Sequence, residues 1–220
     1  MIFRDRRDAG RRLAGELARY RGREDVIVLA LPRGGVPVGY EVAQALDVPL
    51  DVFLVRKLGV PGHEELAMGA IASGGVRVVN REVVTQLEIA DRTLDAVAAS
   101  EQQELERRER AFRGDRPAPV VRDHTIILVD DGLATGSTMR AAIAALKAQG
   151  PRRIVVAIPV AAPNTCQDLR REVDEVVCPM IPRDFRGVGQ WYDDFEQTRD
   201  DEVVSLLDAA RQRVASHAHG

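Results

Sequence analysis

Short apolar runs alternate with helical patterns along most of the chain. The runs that predict strands lie at residues 25–32, 50–57, 125–131, 153–160 and 174–178. The periodic patterns that predict helices lie at residues 5–20, 38–46, 136–149, 163–172 and 200–215. Continuous apolar strands that alternate with helices are typical of a parallel sheet covered on both faces. The predicted fold class is therefore α/β: a twisted, mostly parallel sheet flanked by helices on both faces.

Two segments do not follow this alternation. The stretch "GAIASGGVRVV" predicts a hairpin that turns at Gly74-Gly75. Residues 81–113 form a long, heavily charged helical pattern. This helical insertion could cover a binding site, build a dimer or simply be a solvated surface helix. Because no internal repeat divides the 220 residues, we expect a single domain over residues 1–220.

Composition and charge exclude several classes of protein. The chain is 45% hydrophobic and 30% charged, as in globular proteins, and its net charge of −3 disfavours a nucleic-acid partner. No apolar run approaches the roughly 20 residues that span a bilayer, so we expect no membrane partner. The first residues lack the apolar segment of a secretory signal. Cys166 and Cys178 form neither a disulfide framework nor a CxxC metal motif, and a cytoplasmic location is expected.

Three polar segments are candidates for the binding site. In open parallel sheets, ligands bind beyond the carboxyl ends of the strands. The segments that follow predicted strands there are "PRGG", "RKLGVPGHEE" and "DDGLATGST". The third is the most informative, because paired carboxylates and a run of small hydroxyl-bearing residues precede a helix.

The stretch "DDGLATGST" has the composition of a ribose 5-phosphate site. Small residues let backbone N–H groups approach an anion at a helix N-terminus, and hydroxyl groups add further donors. The candidate phosphate ligands are Ala134, Thr135, Gly136, Ser137 and Thr138. Asp130 and Asp131, just upstream, could accept hydrogen bonds from two vicinal ribose hydroxyls. The alternative for the Thr and Ser residues is ordinary helix capping. The lysine of a Walker A loop is absent from the segment.

This stretch resembles the signature of the type I phosphoribosyltransferases. Four apolar residues, two acids, a small residue and TG[ST]T are all present in "IILVDDGLATGST". The resemblance implies that the substrate is 5-phosphoribosyl 1-diphosphate with Mg²⁺. It also implies that no protein group need bind the metal directly, although Asp130 or Asp131 could contact it through water. Transfer of the phosphoribosyl group to a nucleobase-like acceptor would release pyrophosphate.

Two other loops of that family have counterparts here. "LPRGGVPVGYEVA" is similar to the pyrophosphate loop, with Arg33-Gly34-Gly35 where relatives carry Lys-Gly-Gly, and Pro32–Arg33 is then the candidate cis peptide. An ordinary strand-to-helix turn is the alternative. "VRKLGVPGHEELAMG" partly resembles the flexible loop that closes over the diphosphate, and its candidate cations are Arg56, Lys57 and His63. The expected catalytic residues are Asp130, Asp131, Arg33 and Lys57.

The C-terminal region resembles the small hood that holds the base in this family. Residues 178–198, which we call the hood, gather aromatic side chains in a chain with few of them. The candidates for stacking on a base are Phe185, Trp191 and Tyr192. Packing of these rings into a core is the alternative, which we prefer for Trp191.

The acceptor cannot be identified from these residues. Hypoxanthine–guanine enzymes carry an acid where this chain has Ala134, so the resemblance disfavours a 6-oxopurine without excluding catalysis. A non-catalytic relative that binds the same ligand or a nucleotide, and regulates a partner, is the alternative function. Such a regulator could use a local basic patch, formed by Arg11, Arg12, Arg19 and Arg21. A nucleotide-phosphate hydrolase is disfavoured, because the sequence shows no metal-ligand cluster or nucleophile motif. The sequence leaves the oligomeric state open, although the resemblance makes a homodimer one candidate, since dimers that complete each other's sites are common in the family.

Overall fold

The elements follow one another in the order expected from the sequence. The structure is a computed structural model that describes residues 2–217. Its helices and strands, in chain order, are α1 (Arg6–Glu16), β1 (Val26–Ala30), α2 (Gly35–Leu46), β2 (Leu50–Val52), β3 (Val55–Val60), β4 (His63–Ala72), β5 (Val76–Val79), α3 (Arg81–Gln86), α4 (Asp91–Arg113), β6 (Thr125–Val129), α5 (Ser137–Ala148), β7 (Arg153–Ala157), α6 (Pro163–Leu169), β8 (Glu175–Val177) and α7 (Asp200–His217). Short 3-10 turns lie at Ala18–Tyr20 and Val188–Trp191.

The main sheet is parallel, and the direction in which the chain adds successive strands reverses beside β1. The order is β2-β1-β6-β7-β8, and every neighbouring pair is parallel. From β1 the chain adds β2 on one side and then returns to add β6 on the other. Ligands in open parallel sheets bind at such a reversal, beyond the carboxyl ends of the strands. The topology therefore brings residues 31–34 and 130–136 together. The Leu31 N–H donates to the Val129 carbonyl at 2.9 Å.

Helices cover both faces of this sheet, so the prediction of a covered parallel sheet is confirmed. In β1, Val28 packs with α1, α2 and α7, whereas Ile27 and Leu29 pack with α5 and α6. All five residues of β1 and all five of β6 are buried. Burial on both faces explains why these strands are continuously apolar rather than alternating. The sheet is thus a rigid base for the loops at its carboxyl edge.

A second, antiparallel sheet follows β2, and here the sequence-based boundaries are wrong. Residues 50–57 are not one strand, because the chain leaves the main sheet after Val52 and β3 begins at Val55. The link is buried, with Phe53 and Leu54 at 1% and 3% exposure, so the apolar pattern carries no sign of the break. Residues 58–69, expected as a polar segment, lie mostly on β3 and β4. The hairpin at Gly74-Gly75 is confirmed, since β4 and β5 pair there and both glycines have positive φ.

The insertion consists of two helices rather than one. The pattern at 81–113 breaks after α3, and α4 begins at Asp91. The interpretation of α4 as a fully solvated helix is wrong, because Leu94, Leu105 and Phe112 are buried. Its last residue, Arg113, is 3% exposed and donates to Asp51 at 2.9 Å and to the Val52 carbonyl. These contacts attach the end of α4 to β2, at the edge of the main sheet.

The hood is joined to the N-terminal residues. The Phe3 N–H donates to the Trp191 carbonyl and the Asp193 N–H donates to the Phe3 carbonyl, both at 2.8 Å. Phe3, Tyr192 and Val160 form a small buried cluster with neighbouring hood residues. Because of this pairing, the residues before α1 and the hood lie together above the carboxyl edge of the sheet.

Candidate active site

The loop at residues 134–138 presents backbone N–H groups at the start of α5. Thr165 Oγ1 donates to the Ala134 carbonyl at 2.6 Å, and Arg140 Nη1 donates to the Thr135 carbonyl at 3.0 Å. In a trans peptide the C=O and the following N–H point in opposite directions. The N–H groups of Thr135 and Gly136 are therefore directed away from these two side chains. No side chain caps α5 in the described structure, so its first donors are available to an anion.

Gly136 is required by the shape of this loop. It precedes α5 with φ 74°, in the left-handed region that side chains rarely adopt. A Cβ added there would also lie 2.7 Å from Cγ2 of Thr165. Backbone conformation and close packing therefore both select glycine at this point.

The loop after β1 lies directly against the paired aspartates. The Pro32–Arg33 bond is cis, as the resemblance implied. A Cβ on Gly34 would lie 2.0 Å from Oδ2 of Asp131, and one on Gly35 would lie 2.8 Å from the Val129 carbonyl. Gly34 has φ −60°, which any residue adopts, so the contact alone excludes a side chain. The two loops thus form one continuous surface, which we call the loop pair (residues 31–35 and 130–138).

The two aspartates have different surroundings. Burial raises the pKa of the Asp130 carboxyl well above its ordinary value, and the negative charge of Asp131 raises it further. Burial also raises the pKa of Asp131, but the positive charge of Arg6 opposes that shift. Both residues keep some exposed surface at the cleft. Asp131 therefore has a hydrogen-bonded cation, whereas the hydrogen bond described for the Asp130 carboxylate comes from the Asp131 N–H at 2.9 Å.

Arg6 connects the N-terminal helix, the aspartates and the hood. Its Nε donates to Oδ2 of Asp131 at 2.8 Å, and its Nη1 donates to the Glu196 carbonyl at 2.6 Å. The guanidinium lies 4.0 Å from the centre of the Phe195 ring. This residue was missed from the sequence. A contact 125 positions away along the chain leaves no local pattern from which it could be found.

Of the predicted cations that lie outside the loop pair, Lys57 is the one that hydrogen-bonds to it in the described structure. Lys57 Nζ, on β3, lies 3.4 Å from Ser137 Oγ. Arg56 turns to α4 and pairs with Glu101 at 2.6 Å. Arg33 turns to Asp200 at the start of α7, at 3.5 Å. His63 is exposed at the start of β4, and the residues expected to form a flexible loop lie on two paired strands instead.

The aromatic residues of the hood pack mainly on one another. Tyr192 is 6% exposed, and its ring lies between Phe3 and Phe195, with centroids 5.4 and 4.9 Å away. Its hydroxyl donates to the Asp131 carbonyl at 2.5 Å. These contacts engage Tyr192 in fixing the hood over the aspartates. Trp191 and Phe185 also pack around this cluster and stay partly exposed, so base stacking by either stays a prediction.

Two cavities lie near the loop pair, and the first of them has a loop-pair residue, Thr138, in its wall. One of about 550 Å³ lies between the second sheet and α4, and its wall includes Lys57, Glu101 and Thr138. Another of about 480 Å³ lies between α1, the end of the hood and α7, with Arg6 in its wall. Within residues 2–217, no group of three or more His, Cys, Asp or Glu side chains is arranged to hold a metal ion. None of the helices described has both the length and the apolar character needed to cross a membrane.

Comparison with known families agrees with this geometry. The model of the phosphoribosyl transferase domain matches residues 3–194, which include both loops and most of the hood. The chain belongs to the phosphoribosyltransferase family. It has the type I fold of that family, an α/β parallel sheet flanked by helices.

Individual relatives match more of the chain than the family model does. Two curated Mycobacterium tuberculosis proteins, from strains CDC 1551 / Oshkosh and ATCC 25618 / H37Rv, are each named "putative phosphoribosyl transferase". Each is 46% identical over 214 residues, which cover 97% of this chain and 48% of the relative. The chain thus spans about half the length of these relatives. The crystal structure of TT1426 from Thermus thermophilus is 44% identical, with a TM-score of 0.84, and the match covers 94% of this chain and 98% of that one.

Proposed function

We propose that this phosphoribosyltransferase domain binds 5-phosphoribosyl 1-diphosphate and transfers its ribose 5-phosphate group to a nucleophile, releasing pyrophosphate. The observation that carries the proposal is the contact between the two glycine-containing loops. Gly34 lies so close to Asp131 that one ligand could contact both loops at once. A ligand with phosphate groups at both ends of a ribose matches that arrangement.

Each part of the ligand has a matching set of groups. Residues 134–138 would hold the 5-phosphate, through the N–H groups at the start of α5. Arg33, Gly34 and Gly35 would hold the diphosphate. Asp130 and Asp131 would accept hydrogen bonds from the ribose hydroxyls. Lys57, which already reaches Ser137, would balance phosphate charge from the second sheet.

The aspartate pair also fits Mg²⁺ carried by the diphosphate. Asp130 is a largely buried carboxylate whose pKa is raised by burial and by the negative charge of Asp131, so a cation beside it would be favourable. Mg²⁺ prefers one or two carboxylates together with phosphate oxygens and water. Asp130 or Asp131 would therefore contact the ion, directly or through water. When bound, the ion would neutralise charge that develops on the leaving pyrophosphate.

The protein's part in the reaction would be positioning and electrostatic stabilisation. The nucleophile forms a bond to the anomeric carbon as the bond to the pyrophosphate oxygen breaks, and pyrophosphate leaves with that electron pair. Among the described residues, the ion-pair partner of Arg33 is Asp200, at 3.5 Å. Because that pair is partly exposed, Arg33 can exchange it for the leaving group. No protein nucleophile is needed.

The direct test is release of pyrophosphate from 5-phosphoribosyl 1-diphosphate and Mg²⁺ in the presence of a panel of nucleobases. We expect release with at least one acceptor, and its loss in Asp130→Asn and Asp131→Asn. Tight binding of the ligand without turnover on any acceptor would instead support a regulatory binding protein. Absence of binding at millimolar concentration would overturn the proposal.

A further inference from the structure

We propose that Arg108, on α4, is an additional binding residue for the diphosphate, and that Glu104 holds it while no ligand is bound. The inference rests on the proposed function and assigns part of that site to the helical insertion. Nothing in the sequence distinguishes Arg108 from the other arginines of this charged helix.

The position of Arg108 is the first observation. It lines a small cavity of about 40 Å³ together with Pro32, Arg56 and Thr138. Pro32 belongs to the loop after β1, and Thr138 lies in the first turn of α5. The cavity is too small for a phosphate group, but a side chain in its wall borders both members of the loop pair. Arg108 is therefore next to the place where a ligand would span the two loops.

The ion pairs around Arg108 are the second observation. Arg108 Nε donates to Glu104 at 2.8 Å, and Arg56 pairs with Glu101 at 2.6 Å. Glu101, Glu104 and Arg108 are separated by three and four positions, so they lie along one face of α4. Two arginines beside the cavity are thus neutralised by carboxylates of the same helix. A diphosphate, which carries more charge and matches the planar guanidinium, would compete with these carboxylates.

Arg108 combines a fixed backbone with a partly exposed side chain, which suits such an exchange of partners. Leu105 and Phe112 are buried and Arg113 bonds the edge of the main sheet, so the backbone of α4 is held in place. The Arg108 side chain itself is 43% exposed, and its partner Glu104 is 29% exposed. An exposed ion pair of this kind contributes little to stability, because water and salt screen it, so a bound anion can displace it.

Arg107 supplies a matched control. It shares Glu104 with Arg108, at 2.7 Å, but it is 64% exposed and is not among the described residues that line the cavity. Arg107→Gln and Arg108→Gln therefore remove the same charge from adjacent positions and the same ion-pair partner from Glu104. Of the two, Arg108 is the side chain that lines the cavity beside Pro32 and Thr138, whereas Arg107 faces solvent and interacts electrostatically with Asp200.

The experiment is isothermal titration of the full chain with inorganic pyrophosphate and Mg²⁺. We expect Arg108→Gln to weaken binding about 10-fold, the effect of losing one charge-assisted hydrogen bond, and Arg107→Gln to stay within about 2-fold of wild type. Glu104→Gln is expected to tighten binding about 3-fold, because it removes the competing carboxylate. That increase cannot arise from a fold damaged by the substitution.

Each other outcome has a distinct meaning. If wild type binds pyrophosphate and the two arginine variants bind it equally well or equally poorly, this inference is overturned and the proposed function stands. Weaker binding by Glu104→Gln would overturn the holding role of Glu104. If wild type does not bind pyrophosphate at millimolar concentration, the diphosphate half of the proposed function is overturned together with this inference.

Discussion

The loop pair and the wall formed by β3–β5 and α4 present charge to the same cleft in different ways. In the loop pair, the candidate contacts are backbone N–H groups, close-packed glycines and two largely buried aspartates. In the wall they are long side chains, and Arg56 and Arg108 are each paired with a carboxylate of α4. The groups of the loop pair are thus preorganised before a ligand binds. The arginines of the wall, by contrast, can exchange a carboxylate of α4 for the ligand when it binds.

This difference predicts how substitutions in the two regions will behave. A change in the loop pair alters packing and burial, so it should affect both the stability of the fold and ligand binding. A change in the wall removes a partly exposed cation, so it should affect binding alone. The predictions below test that distinction, from the largest expected effect to the smallest.

Asp131→Asn is expected to have the largest effect. It removes the charged partner of Arg6, in a pair whose side chains are only 11% and 15% exposed. Burial raises the pKa of Asp131, so removal of its charge relieves some unfavourable burial. It also leaves the guanidinium of Arg6 largely buried and without its charged partner, and we expect this cost to dominate and to lower the free energy of unfolding by about 3 kcal/mol. Urea denaturation measures this value. A fall of less than about 1 kcal/mol would mean that the pair is no stronger than a surface ion pair.

Gly34→Ala should disturb the contact between the two loops. The added Cβ would lie 2.0 Å from Oδ2 of Asp131, so either that carboxylate must leave its position beside Arg6 or the loops must move apart. We expect a cost of about 2 kcal/mol in stability and weaker pyrophosphate binding. Gly15→Ala is the control, because a Cβ there meets open space near the end of α1. It should leave pyrophosphate binding unchanged. Equal binding by both variants would show that the close contact is not needed.

Lys57→Gln tests the wall. Because Lys57 reaches Ser137 across the cleft, we expect affinity for 5-phosphoribosyl 1-diphosphate to fall about 10-fold, with the melting temperature unchanged. The chain's other lysine, Lys147, is exposed near the far end of α5 and supplies the control substitution Lys147→Gln. A large loss of stability in Lys57→Gln would break the proposed distinction between the two regions.

Asp130→Asn should stabilise the protein while it abolishes transfer. The pKa of Asp130 in the fold is raised above the ordinary value of 3.8, so the fold disfavours the ionised form. Wild-type stability should therefore fall as the pH rises from about 3.8 through the raised pKa, and the asparagine variant lacks this fall. Above that range we expect the variant to melt about 2–4 °C higher. Thermal melts at several pH values measure the difference, and a lower melting temperature near neutral pH would contradict it.

The sequence predicted the two regions unequally, for a physical reason. The loop pair depends on local features, since an apolar strand, two acids and small residues at a helix start are contiguous at residues 126–138. The parallel sheet follows from the same apolar runs. Contacts between residues far apart along the chain were missed. They are the hydrogen bond from Arg6 to Asp131, the hydrogen bond from Thr165 to the Ala134 carbonyl, and the position of Arg108 beside Pro32. The break between β2 and β3 was missed because the link itself, Phe53 and Leu54, is apolar and buried, so the apolar run continues through it.

The most direct test of the central claim is calorimetric titration of the wild-type protein with 5-phosphoribosyl 1-diphosphate in Mg²⁺, beside ribose 5-phosphate and pyrophosphate alone. If the two loops hold opposite ends of one ligand, all three compounds will bind, and the complete ligand will bind much more tightly than either half, because the second contact is then intramolecular. Equal affinity for the complete ligand and one of its halves would mean that only one loop is used. No binding of the complete ligand at millimolar concentration would contradict the account altogether.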